Sequence, residues 1–142
     1  MRRKAMEPRI IDVFFYGLFM DAEALRAKGF HPINGRQASV SGMALHIGRR
    51  ATLAPDPAGC VHGLVFGLSH QEIERLYAEP SVAAYRPEAV IAQLADRSRI
   101  PALCFNLPPS NEVEEPNPEY AEKLRAVAGR LGLPADYTSN IR

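Results

Sequence analysis

Short apolar runs separated by turn residues predict a chain built mainly from strands. The predicted strands lie at residues 10–16, 38–47, 60–68, 89–94 and 100–107. Most of these stretches are apolar, β-branched or aromatic, and residues 38–47 alternate apolar with small or polar residues. Two of these stretches carry internal glycines, Gly42 in the second and Gly63 and Gly67 in the third, which help a sheet to bend. Residues 54–59, with the sequence APDPAG, are predicted to form a turn between two strands.

Helix-capping signals predict three helices between or after these strands. The caps are Asp21 before residues 22–28, Ser69 with Glu72 before residues 70–79, and Asn117 with Pro118 before residues 118–131. Residues 133–142 are expected to be a turn and tail. Since strands and helices do not alternate strictly, the pattern predicts a mixed α/β (α+β) fold with a curved or barrel-like, mainly antiparallel sheet. We expect a flexible lead-in at residues 1–9 and a single domain at residues 10–142.

Composition narrows the class of protein without identifying its chemistry. The chain is 46% hydrophobic and 23% charged with a formal net charge of +1, which argues against binding nucleic acid through bulk charge. No apolar run approaches the roughly 18 residues of a membrane span. The two cysteines, Cys60 and Cys104, lie in apolar runs and are expected to be buried thiols in a cytoplasmic protein. The histidines and cysteines lack the spacing of a known metal motif, so no metal site is expected.

The segment Tyr16-Gly17-Leu18-Phe19 is the first candidate site. It joins a buried strand to a helix through a glycine, and the successive backbone amides of such a loop can bind a carboxylate. The alternative is an ordinary connection between strand and helix, and Asp21 would partly offset the attraction for an anion.

Glu79 is the second candidate, at the end of the helix that Ser69 begins. Leu76, Tyr77, Pro80 and Val82 surround it in sequence, and apolar surroundings would raise its pKa and make it a usable general base. The alternative is an exposed glutamate at a helix end. Arg49-Arg50 is interpreted as a pair of solvent-exposed turn charges.

The order of several short motifs resembles one known family. Tyr16-Gly17 follows the first strand, Gly63 to Leu68 form a later strand, and a helix ends in Leu-x-x-Glu before Tyr85-Arg86. PNPEY at residues 116–120 and GLPADY at residues 132–137 come last. Together, from about residue 11 to 140, they resemble the γ-glutamylcyclotransferase-like (AIG2-like) superfamily, and the tail is especially similar to its γ-glutamylcyclotransferase branch.

The resemblance implies a small β-barrel with one pocket and about three helices. It implies that Glu79 is the catalytic acid and base. It further implies that the backbone of Tyr16, Gly17 and Leu18, with Phe19 beside them, holds a substrate carboxylate. The aromatic pocket positions would be Tyr85, Phe105 and Tyr120. Three residues depart from the family pattern: Leu18 stands for a serine or threonine, Pro80 for a glycine and Tyr77 for an aspartate.

The function implied is conversion of a γ-glutamyl amino acid or γ-glutamyl amine to 5-oxoproline and a free amine, with no cofactor. The departures keep a second interpretation open, a non-catalytic domain of the same fold that binds a small carboxylate or has a regulatory role. The expected partner is a small γ-glutamyl molecule rather than nucleic acid or membrane, and a homodimer is the protein assembly considered.

Overall fold

A closed barrel of five strands positions the candidate site within residues 9–109 and 115–142, which the computed structural model describes. The strands are β1 (Ile10–Phe15), β2 (Ile33–Ile47), β3 (Ala51–Ser69), β4 (Arg86–Leu94) and β5 (Arg99–Asn106). They follow one another around the barrel in the order β1-β3-β2-β4-β5. All pairs are antiparallel except β1 with β5, where Val13 pairs with Leu103 and closes the barrel. The predicted mainly antiparallel, barrel-like sheet is confirmed.

The helices begin where the capping residues predict. They are α1 (Ala22–Ala27), α2 (His70–Leu76), α3 (Pro118–Arg130) and α4 (Ala135–Ser139), with a 3₁₀ turn at Leu18–Met20. The side chains of Asp21, Ser69 and Asn117 accept hydrogen bonds from the first-turn amides of α1, α2 and α3, and Glu72 completes the capping box. The short helix α4 lies in the tail that was expected to be a turn.

The predicted turn at residues 54–59 is wrong as a chain reversal, because the chain there stays within the long strand β3. The signal instead marks a break in register. Ser41 pairs with Cys60 and Met43 with Pro55, so residues 56–59 face a single glycine, Gly42, which has a φ of +83°. The reversal that joins β2 to β3 lies at residues 48–50.

Alternating side chains of the strands divide the core into two clusters. One cluster comes almost entirely from the strands and fills the barrel; it includes Phe14, Val40, Val61, Val65 and Cys104. The other packs the outer face of the strands against the helices and includes Val13, Phe15, Leu68, Leu76 and Leu124. Since successive side chains of a strand point to opposite faces, β1 contributes to both clusters. Cys104 is buried as predicted, whereas Cys60 is exposed, because its position on β3 falls beside the register break.

An ion pair joins the start of α1 to the end of α3. Arg130 Nη2 lies 2.8 Å from Asp21 Oδ2, and this hydrogen bond holds the pKa of the Asp21 carboxyl below its usual value. A carboxyl with a lowered native pKa stabilises the fold above its unfolded pKa of about 3.9, and that contribution is lost as the pH falls through the native value.

We therefore expect Arg130→Gln to lower the thermal midpoint at pH 7 and to lower it less as the pH falls below about 4. Thermal unfolding of both proteins between pH 7 and pH 3 measures this. Lys123→Gln is the control, because Lys123 makes an exposed ion pair with Glu119 on the same helix. A difference between Arg130→Gln and the wild type that stays constant over this range would contradict the assignment.

One sequence prediction, the lead-in, falls on residues that the structure leaves undescribed. Nearly all of the expected lead-in (residues 1–8) and the middle of the loop before α3 (residues 110–114) lie outside the described residues. Within residues 9–109 and 115–142, no helix is long and apolar enough to cross a membrane.

Candidate functional site

A cavity of about 330 Å³ opens where β1 ends. Its volume lies at the lower end of the range for small-molecule sites. All seven predicted binding residues line it, namely Tyr16, Gly17, Leu18, Phe19, Tyr85, Phe105 and Tyr120. The structure thus brings residues from four separate parts of the chain around one space. That they bind a substrate stays a prediction.

The loop after β1 presents its backbone to this cavity because Gly17 has no side chain. A Cβ on Gly17 would lie 2.9 Å from the Tyr120 hydroxyl oxygen. Burial raises the pKa of Tyr120, and the backbone N–H of Leu18 opposes that shift. The Leu18 amide donates to the Tyr120 hydroxyl oxygen at this corner, which leaves the hydroxyl hydrogen of Tyr120 available to donate to an anion.

Buried tyrosines fix the aromatic walls. The Tyr16 hydroxyl donates to the Phe105 carbonyl oxygen at 2.7 Å and so ties the end of β1 to β5. Tyr77 stacks on the Phe105 ring, with centroids 3.9 Å apart and planes 13° from parallel. Burial raises the pKa of both Tyr16 and Tyr77 well above the ordinary value for tyrosine. Both phenols are protonated at neutral pH, so they do not serve as general bases there.

A second polar corner forms where β3 begins. Arg50 lines the cavity, with its guanidinium carbon 5.9 Å from the centre of the Tyr85 ring. Its Nη1 donates a long hydrogen bond of 3.5 Å to the Ser81 carbonyl oxygen, and the Tyr85 hydroxyl donates to the Ala51 carbonyl oxygen. The interpretation of Arg50 as a solvent-exposed turn charge is therefore wrong. The reversal between β2 and β3 turns it towards the cavity, while Arg49 is exposed.

Glu79 is not among the cavity-lining residues. Its carboxylate oxygens lie 3.1 Å and 3.3 Å from Lys28 Nζ, and about a third of its side chain is exposed. Lys28 Nζ in turn lies 6.0 Å from the centre of the Phe19 ring, which is part of the lining. A cation thus stands beside Glu79, where apolar surroundings were expected, and Glu79 lies outside the lining. Tyr77, Ser81 and Val82, from the same segment between α2 and β4, do line the cavity.

The described residues hold no cluster of three or more histidine, cysteine, aspartate or glutamate side chains that could bind a metal ion. Cys60 Sγ lies 3.9 Å from His62 Nε2 on β3, and Cys104 is buried in the barrel core. Cys60, His62 and Cys104 therefore do not come together as a group of metal ligands.

Comparison with known proteins gives the family. Residues 13–124 match the family described as "Gamma-glutamyl cyclotransferase, AIG2-like". The chain belongs to this family. The match runs from the second half of β1 through β5 to the first half of α3, so the described residues that line the cavity all lie within it. No curated protein sequence matches the chain.

Solved structures with the family's fold superpose on most of the chain. One titled "Gamma-glutamyl cyclotransferase" has a TM-score of 0.79 and 18% identity, covering 94% of this chain and 86% of its own. An uncharacterised protein from Homo sapiens has a TM-score of 0.77 and 20% identity, and the superposition covers 93% of this chain and 86% of that one. YkqA from Bacillus subtilis has a TM-score of 0.74 and 21% identity, covering 92% of this chain and 52% of its own. At these identities the likeness establishes the fold that the chain shares with them.

Sequence reasoning missed half of the cavity lining. The unpredicted residues are Phe14, Phe15, Arg50, Ala51, Tyr77, Ser81 and Val82. Tyr77 had a detectable signal, since it stands where the family has an aspartate and precedes Glu79 by two positions. Arg50 had none, because the orientation of a turn arginine depends on how β2 and β3 pair.

Proposed function

We propose that this protein converts a γ-glutamyl amino acid or γ-glutamyl amine to 5-oxoproline and the free amine. The α-amine of the substrate attacks its own γ-carbonyl carbon and forms the lactam C–N bond. The amide C–N bond then breaks, and the leaving amine takes up the proton that the attacking amine gives up. The proposed compartment is the cytoplasm, where free thiols such as Cys60 and Cys104 are maintained.

The observation that carries this proposal is the corner formed by the Gly17–Leu18 backbone and the Tyr120 hydroxyl. An α-carboxylate bound there would be held by uncharged donors, with its side chain directed along the aromatic walls. Ring closure is intramolecular, and well-oriented intramolecular reactions reach effective molarities of about 10⁵–10⁸ M. A site that orients the substrate therefore supplies much of the catalysis, and one proton carrier completes it.

Glu79 is the proposed proton carrier. A single carboxylate can take the proton from the attacking amine and return it to the leaving amine. For this, Glu79 must exchange its ion pair with Lys28 for a contact with the substrate. Its position on a segment whose neighbours Tyr77, Ser81 and Val82 already line the cavity supports such a move.

We expect purified protein to release 5-oxoproline from at least one member of a panel of γ-glutamyl amino acids, γ-glutamyl amines and glutathione. Mass spectrometry detects the product, and the amount should scale with protein concentration. The absence of product across the whole panel would contradict the proposed reaction.

The second candidate is a domain that binds a small carboxylate without turnover. One observation favours it: among the described cavity-lining residues there is no carboxylate, and Glu79 is paired with Lys28 outside. Thermal stabilisation by γ-glutamyl compounds without any 5-oxoproline would support this candidate, whereas measurable turnover would exclude it.

A further inference from the structure

Arg50 is the one charged side chain among the described residues that line the cavity. It is partly buried at the end of the β2–β3 connection, against the Tyr85 ring. Among the described residues no carboxylate forms an ion pair with it, and its hydrogen bond to Ser81 is 3.5 Å long. Its guanidinium therefore keeps most of its hydrogen-bonding capacity for a ligand.

The walls around this cation are apolar. Tyr77 and Phe105 form a stacked pair, and Phe14, Phe15 and Val82 add hydrocarbon surface. A guanidinium binds a carboxylate through two parallel hydrogen bonds, and the apolar walls beside it can receive a hydrocarbon group. The cavity is thus suited to a ligand that combines an apolar group with a carboxylate.

Two separate anion positions follow from the two polar corners. The Gly17–Leu18 backbone follows β1 and meets Tyr120 of α3, whereas Arg50 lies in the reversal between β2 and β3 and contacts Ser81 and Tyr85. If the first corner holds the α-carboxylate of the γ-glutamyl group, Arg50 is left for an anion elsewhere in the substrate. In a γ-glutamyl amino acid, that anion is the carboxylate of the amino acid released.

We propose that Arg50 selects γ-glutamyl amino acids with an apolar or aromatic side chain over the corresponding γ-glutamyl amines by binding the carboxylate of the leaving amino acid. This inference rests on the proposed function and adds the substrate class to it. The stacked Tyr77 and Phe105 rings then receive the apolar side chain. Arg50 is a specificity residue here and takes no part in proton transfer.

The test compares γ-glutamyl-phenylalanine with γ-glutamyl-phenethylamine, which differ only in the carboxylate of the leaving group. Both kcat/KM for 5-oxoproline release and the dissociation constant from calorimetry are measured for the wild type, Arg50→Met and Arg50→Lys. Arg49→Met is the matched control, because Arg49 is the exposed neighbour in the same turn. Thermal midpoints verify that each variant is folded.

The wild type is expected to prefer the phenylalanine compound by roughly 10- to 100-fold, as a charged hydrogen-bonded pair is worth about 1.5–3 kcal/mol. Arg50→Met should reduce that preference to within about threefold, because it lowers kcat/KM and affinity for the phenylalanine compound alone. Arg50→Lys should restore part of the preference. Arg49→Met should keep the wild-type preference.

Two results would overturn the inference. One is a wild type that binds and turns over both compounds equally. The other is an Arg50→Met variant in which binding and turnover of both compounds weaken equally, which would assign Arg50 to the α-carboxylate that both compounds share. If neither compound releases 5-oxoproline, the proposed reaction fails, and the ratio of the two dissociation constants in wild type and Arg50→Met still decides the role of Arg50.

Discussion

Glu79→Gln is expected to lower 5-oxoproline release by about 10²–10⁴-fold while leaving substrate binding largely intact. Glutamine keeps the size and shape of the side chain, but it can neither accept the proton of the attacking amine nor return it to the leaving group. The measurements are single-turnover product release and the dissociation constant of a γ-glutamyl ligand.

The same substitution also breaks the ion pair with Lys28, so a structural effect must be separated from a chemical one. Both side chains are more than a third exposed, and such pairs contribute about 0–1 kcal/mol to stability. We expect only a small change in thermal midpoint. Glu74→Gln is the control, because Glu74 is an exposed glutamate of α2 paired with His70, and it should retain wild-type activity. Full activity in Glu79→Gln would transfer the role of base to another group.

Gly63→Ala is expected to destabilise the fold by about 3 kcal/mol or more, beyond the usual range for adding one methyl group to a packed core. A Cβ at this position would lie 2.1 Å from the Phe15 carbonyl oxygen and 3.1 Å from the Phe14 ring. Because the nearest atom is backbone, relief requires β1 to move away from β3. The same movement would displace Tyr16 and the Gly17 loop, so ligand binding should weaken together with stability.

Urea denaturation of Gly63→Ala, the wild type and Gly129→Ala measures this effect. Gly129 lies in α3 with nothing within 4 Å of the position of an added Cβ. Alanine there should stabilise the protein by about 0.5–1 kcal/mol, since it favours the helix more than glycine does. A Gly63→Ala protein as stable as the wild type would show that β1 and β3 tolerate a wider separation than their pairing indicates.

The strands and helix starts were predictable because their signals are local. The cap at Asp21, the capping box of Ser69 with Glu72, and the proline after Asn117 each depend on residues within one turn of the helix. The wrong prediction of a chain reversal at residues 54–59 also came from a local signal. Proline, glycine and aspartate disturb a strand equally whether the chain reverses or merely loses register, and only the partner strand β2 distinguishes the two.

The candidate site was predictable where the backbone makes it and unpredictable where distant side chains complete it. Gly17 stands out in the sequence because it joins a buried strand to a capped helix, which is a local signal, although the Tyr120 hydroxyl that leaves no room for a side chain there is distant in sequence. The orientation of Arg50 depends on the β2–β3 reversal, and the position of Glu79 depends on Lys28, 51 residues earlier in the chain. Long-range pairings of this kind leave no periodic trace in the sequence.

The parallel pairing of β1 with β5 has a consequence for the order of folding. The hydrogen bond from Tyr16 to Phe105 spans 89 residues, so the chain must close a long loop before this contact forms. Non-local contacts of this kind slow folding, whereas the β2–β3 hairpin is local and can form early. The cavity is therefore absent from any intermediate in which the barrel is still open. A ligand that binds the cavity consequently stabilises the closed barrel alone and slows its opening, which makes the rate of unfolding a sensitive measure of occupancy.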